Sequence, residues 1–97
     1  MSSQYEEVVQ IVESIAGGSE TKSYELIKYA ESLGRFIASF SSITNGTNDP
    51  IAKNVCVAFT TAQKELYKAA KASIEAAKAG YDWCGNASKN LVLKKVR

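Results

Sequence analysis

The chain has 97 residues, a formal net charge of +2, 45% apolar and 23% charged residues, one proline, six glycines and no histidine. A length below the usual size of one domain excludes a multi-domain architecture, and the balance of apolar to charged residues is that of a globular chain. Without histidine the commonest general base, the commonest partner of a catalytic nucleophile and the commonest metal ligand are all missing; the two cysteines make neither a disulfide scaffold nor a four-ligand zinc site. These counts argue against an enzyme and against a bound metal or cofactor.

The amino terminus, Met-Ser-Ser-Gln-Tyr-Glu-Glu, carries acid where a secretory signal carries base, so a chain made in the cytoplasm without a Sec signal is expected. Ser3 with Glu6 three residues on is a capping-box pattern, predicting a first helix from about Gln4 to Ile43. Tyr5, Val8, Val12 and Ile15 step by three and four, and the same register continues through Leu26, Tyr29, Leu33, Phe36, Phe40 and Ile43. Gly17-Gly18 interrupts the stripe. Two readings stay open there: a continuous or kinked helix, or a break that lets a short first segment fold back as a third helix.

Asn45-Gly46-Thr47-Asn48-Asp49-Pro50 gathers turn formers and ends on an Asp N-cap before a proline suited to the first helical position. A second helix is therefore expected from Pro50 to about Cys84, with Gly85-Asn86 as its stop. Val55, Phe59, Ala62, Leu66, Tyr67, Ala70, Ile74, Ala77, Tyr81 and Cys84 plot on one face of it, and Lys53, Lys64, Lys68, Lys71, Glu75, Lys78 and Asp82 on the other. The tail, residues 87–97, reads either as a frayed extension or as an ordered strap. The short connection predicts an all-α fold, an antiparallel helical hairpin of two long helices. Residues 1–50 hold seven acids and three bases and residues 51–97 three acids and nine bases, a polarity that favours pairing of the two halves, within one chain or between copies.

Little in this pattern points to chemistry. Cys56 and Cys84, on one helix and about 42 Å apart at ~1.5 Å per residue, cannot bridge each other and read as small buried thiols, with an intermolecular bridge or redox role as the alternative. Glu6-Glu7 suits the positive end of a helix dipole. The lysine face is mixed with Glu65, Glu75 and Asp82, so a solvated surface is favoured over nucleic acid, and an alanine-rich apolar face would insert weakly into a membrane. Two helices alone leave part of each stripe uncovered, which calls for a helical partner. Trp83 plots well outside the core face near the helix end, where it serves either as an interface anchor or as a cover for the bundle end.

With Trp83-Cys84-Gly85, near 100 residues, two long helices and a central turn, the chain resembles the Trp-x-Gly family of small helical-hairpin proteins of type VII secretion, and the similar helical partners of their toxins. In that family the tripeptide lies between the helices, whereas here it closes the second. The family's carboxy-terminal aromatic followed four residues later by an acid has no counterpart, since Phe59, Tyr67 and Tyr81 are followed by Gln63, Lys71 and Gly85. The resemblance implies a targeting factor or chaperone for a secreted toxin, with export by a non-Sec route. The partner-binding residues expected are Trp83, Tyr81, Phe59, Leu66, Ile74, Leu33, Phe36 and Phe40, and the partner is a toxin or a second copy in a four-helix bundle. A small cytosolic immunity or regulatory bundle and a nucleic-acid-binding helical module are the alternatives. No small-molecule substrate or cofactor is expected.

Overall fold

The computed structural model describes the backbone of residues 2–96 and the side chains of residues 4–87 and 89. It is all-helical: α1 spans Ser2–Thr44 and α2 spans Pro50–Val96, with no strand and no third helix among the described residues. None of these helices is long and apolar enough to cross a membrane.

The connection is built from local hydrogen bonds. The amide of Asn45 donates to the Ser41 carbonyl at 2.8 Å, and the amide and hydroxyl of Thr47 both donate to the Thr44 carbonyl, at 3.0 and 2.6 Å, which satisfies acceptors left over at the end of α1. Gly46 takes φ +92°, the one left-handed residue among those described. Asp49 then accepts from the amides of Ile51 at 3.0 Å and Ala52 at 3.3 Å, an N-cap immediately ahead of Pro50.

The chain divides into two compact units. Ser23–Lys71 is an antiparallel hairpin around the turn: Gln63 Nε2 donates to the Ala30 carbonyl at 3.0 Å, Phe36 meets Phe59, and the Ser41 hydroxyl lies 3.4 Å from the Cys56 thiol. Met1–Lys22 and Ala72–Arg97 make the other, in which α1 and α2 again run antiparallel: Tyr5 meets Trp83, Val9 packs with Cys84, and Ala16 faces Gly80.

Which residues are buried follows a seven-residue repeat. On α1 the repeat comprises Val9, Ala16, Ser23, Ala30, Ile37 and Thr44, interleaved with Val12, Ser19, Leu26, Leu33 and Phe40, and half-buried Glu6, Gly17, Ile27 and Gly34 border it. On α2 it comprises Ala52, Phe59, Leu66, Ser73, Gly80 and Ala87, interleaved with Cys56, Gln63, Ala70, Ala77 and Cys84, and bordered by half-buried Val55, Thr60 and Ala62. This is the spacing of a two-helix seam in which side chains of one helix sit between those of the other. The seam is mostly small. Among the described residues, Val9 and Leu33 are the only buried apolar side chains larger than cysteine. Small residues permit close helix approach but bury little area each, so many weak contacts replace a few strong ones.

Two expectations are corrected or decided by this packing. The stripe of Val8, Ile15, Tyr29, Phe36 and Ile43 does not enter the seam; all five are exposed, up to 78% for Ile43, because the adjacent small positions take the core. The helix is unbroken at Gly17-Gly18, where neither glycine has a positive φ, Ala16 is buried, and the Tyr81 hydroxyl stands 3.4 Å from where a Cβ at Gly17 would lie. The start of α1 at Ser2 places Ser3 inside the helix; its side chain, and with it the capping box, lies outside the described residues.

The expected stop at Gly85-Asn86 is also overturned, since α2 continues through residues 87–96; Arg97, the end of the tail, lies outside the described residues. A glycine ends a helix by turning left-handed, and here Cys84 and Ala87, on either side of the pair, are both held against Val9. Nothing lies within 4 Å of a Cβ added at Gly85. Gly85→Ala should therefore raise stability by about 0.5–1 kcal/mol through helix propensity and a less flexible unfolded chain, read as a higher melting temperature by circular dichroism.

Candidate partner-binding surface

The eight residues expected to bind a partner are distributed over both units and fall into different environments. Within Ser23–Lys71, Leu33 is 8% exposed and belongs to the seam, so it is unavailable to a partner; Leu66 is half-buried there too. Phe36, Phe40 and Phe59 come together. Phe36 stacks on Phe40 with ring centroids 5.4 Å apart and meets Phe59 edge to face at 5.2 Å, an arrangement aromatic quadrupoles favour. Phe59 and Phe40 stay half-buried, and Phe36 presents its outer edge to solvent.

In the unit of Met1–Lys22 and Ala72–Arg97, Ile74, Tyr81 and Trp83 are all exposed, yet they do not share a face. Ile74 and Tyr81 are one heptad apart on one flank of the seam, where Tyr81 reaches over Gly17. Trp83 lies on the other flank, 39% exposed, its ring 5.9 Å from that of Tyr5 and inclined at 54°. That contact explains why a tryptophan outside the seam is tolerated: Tyr5 covers part of its ring, and the rest faces outward.

On Trp83's flank the α1 positions facing outward are Val8, Ile11 and Ile15, with Ile15 64% exposed, and the α2 positions that precede Trp83 on its own flank are Ala72, Ala76 and Ala79, also exposed. No charged residue interrupts either row. Because the helices run antiparallel with Ala16 opposite Gly80, the large side chains of α1 lie beside the Trp83 stretch of α2, and the alanines lie beyond that crossing, beside the part of α1 that follows Ala16. Exposed apolar side chains of this kind mark a candidate interaction surface. Ile11 is not part of the apolar stripe read from the sequence, and Ala72, Ala76 and Ala79 belong to neither of the two faces read for the second helix. The signal that exposes them is the recurrence of Ala16, Ser23 and Ala30 at seven-residue spacing, which identifies the seam and displaces the large residues onto its flank.

The charged surface offers no comparable site. Lys68 Nζ lies 3.4 Å from Glu65 on exposed helix, a pair of little energetic weight. Among the described residues no three side chains of ligand type cluster as a metal site. Cys84 is buried and its thiol donates to the Val9 carbonyl at 3.5 Å; burial raises its pKa above the ordinary thiol value, and the nearby Glu13 carboxylate adds to that. Because the thiolate is the reactive form, Cys84 should react with a disulfide reagent far more slowly than half-buried Cys56 at neutral pH, giving two well-separated phases that collapse to the slow one in Cys56→Ser. Comparison with protein-family models, with curated proteins and with solved structures finds no match for this chain.

Proposed function

We propose that this chain is a non-enzymatic helical interaction protein, which pairs with other helices through the apolar flank that its small-residue seam leaves outside. The supporting observation is the exposure of Val8, Ile11, Ile15, Tyr29, Phe36 and Ile43 on α1, while Ala16, Ser23 and Ala30 occupy the interior. A helix that needs only a two-stranded seam requires two apolar positions in seven; α1 carries a third at Val8, Ile15, Tyr29, Phe36 and Ile43, with Lys22 the one charged residue in that row, the pattern of a helix that faces further helices. The narrower role, a targeting factor or chaperone for a type VII secreted toxin, rests on the Trp83-Cys84-Gly85 tripeptide and the hairpin architecture.

If the flank serves a partner rather than the fold, Ile15→Gln with Ile43→Gln should lower binding of an apolar-surface dye by more than half while changing the melting temperature by less than about 4 °C, the equivalent of under ~1 kcal/mol in a chain of this size. A melting temperature that drops with dye binding unchanged would place these side chains in the core and end the proposal.

A further inference from the structure

Asn45-Gly46 is the only asparagine–glycine pair in the chain, and the fold places it in the connection between α1 and α2. Both residues are exposed, Gly46 holds φ +92°, and a Cβ added there would meet nothing within 4 Å. The Asn45 amide is tied to the Ser41 carbonyl and the Thr47 amide to the Thr44 carbonyl. Among the described residues, neither the Gly46 amide nor the Asn45 side chain has a hydrogen-bond partner. We propose that Asn45 is a modification site at which the chain deamidates itself, by attack of the Gly46 amide nitrogen on the Asn45 carboxamide carbon. The site is independent of the apolar flank and of any partner that flank takes.

The reaction needs only water. The Gly46 nitrogen forms a bond to Asn45 Cγ, the Cγ–Nδ2 bond breaks, and the Gly46 amide proton leaves with the departing nitrogen as ammonia, closing a five-membered cyclic imide. Water then adds to one of the two imide carbonyls and returns a proton to the nitrogen. Opening at the side-chain carbonyl leaves aspartate. Opening at the main-chain carbonyl leaves isoaspartate, in which the backbone runs through Cβ and Cγ and is one carbon longer. Glycine suits this attack because it sets no side chain beside the nucleophile. An amide inside a helix would first have to give up its bond to the preceding turn, and that holds for the residues after Asn54, Asn86 and Asn90, all within α2. Asn48 shares the connection but precedes Asp49, whose side chain stands beside the amide that would attack. The consequence falls on the connection itself. A new carboxylate stands at the end of α1 where the helix dipole disfavours negative charge, and the extra carbon of isoaspartate separates Thr44 from Thr47, whose amide and hydroxyl both bond to the Thr44 carbonyl.

The test holds the full chain at physiological temperature in mildly alkaline buffer for days and reads amide-to-acid conversion at each asparagine by peptide mass spectrometry. Digestion with an aspartate-specific protease, which passes over isoaspartate, separates the two products. Conversion at Asn45 should outpace that at every other asparagine by an order of magnitude or more, with isoaspartate in excess of aspartate. Its rate in the folded chain should lie within a few-fold of that in the chain unfolded by guanidinium chloride, since the fold leaves the pair free. Asn45→Gln, which could close only a six-membered ring, should end conversion at that position. The aged chain should melt several degrees below the fresh one, and below Asn45→Asp, which carries the new charge without the extra carbon. Conversion that is faster at another asparagine, or that folding slows by more than an order of magnitude at Asn45, would overturn the site. An aged chain that melts together with Asn45→Asp would overturn the lengthened backbone as the source of the change.

Discussion

Gly80→Leu is expected to lower stability by about 1–3 kcal/mol, the usual loss from forcing extra methylenes into a packed contact. For a domain near 100 residues this is a fall in melting temperature of roughly 10 °C. The reason is geometric. A Cβ at Gly80 would stand 3.0 Å from the Ala16 Cβ and 3.4 Å from Val12 Cγ1, so α1 passes close over this glycine and has no room to yield to a branched side chain. Gly80→Ala is the matching control. It gains about 1 kcal/mol of helix propensity against one tight contact, so the difference between the two variants isolates the steric effect. A leucine variant that melts with the wild type would mean that the helices do not approach closely at this point.

The second large effect is expected at Leu33. Leu33→Ala should cost about 2–4 kcal/mol, while Ile43→Ala, which removes an aliphatic side chain of similar size, should cost less than about 0.5 kcal/mol. Leu33 is 8% exposed, in a core otherwise made mainly of alanine, and few neighbours are large enough to collapse into the space it leaves. Ile43 sits on the flank with most of its surface in water. Urea denaturation of the two variants reads the contrast directly. Equal losses would show that the large residues of α1 share one core, as a simple three-and-four periodicity suggests.

That periodicity illustrates what could and could not be read in advance. Tyr5, Val12, Leu26, Leu33 and Phe40 were picked out together with Val8, Ile15, Tyr29, Phe36 and Ile43, because each set is apolar and both fall within one broad stripe. Hydrophobicity ranks residues by size, and by that measure Ala16, Ser23 and Ala30 look indifferent. A seam between two helices ranks them differently, since the smallest side chains let the backbones approach and thereby bury themselves completely. Trp83 was correctly placed outside the core face, but its cover by Tyr5 depended on which way α1 presents its first turns. Residue size alone does not separate buried Leu33 from exposed Phe36 among the eight residues expected to bind a partner, and Ile11 falls outside the three-and-four stripe.

Composition and local signals were sufficient to determine an all-helical chain, a single turn at residues 45–50 and a surplus of apolar surface. Each of these depends on residues near one another in sequence: the Asp49 cap, the Pro50 start, the left-handed Gly46 and the spacing of apolar side chains. The fate of Gly17-Gly18 and Gly85-Asn86 was decided by tertiary packing, because helix propensity at a glycine amounts to only about 1 kcal/mol and the burial of Ala16, Cys84 and Ala87 beside them outweighs it. The rotation of the buried face, from the large residues to the small ones, was decided in the same way: it depends on how closely two helices distant in sequence approach each other, and no residue's own preference specifies that distance.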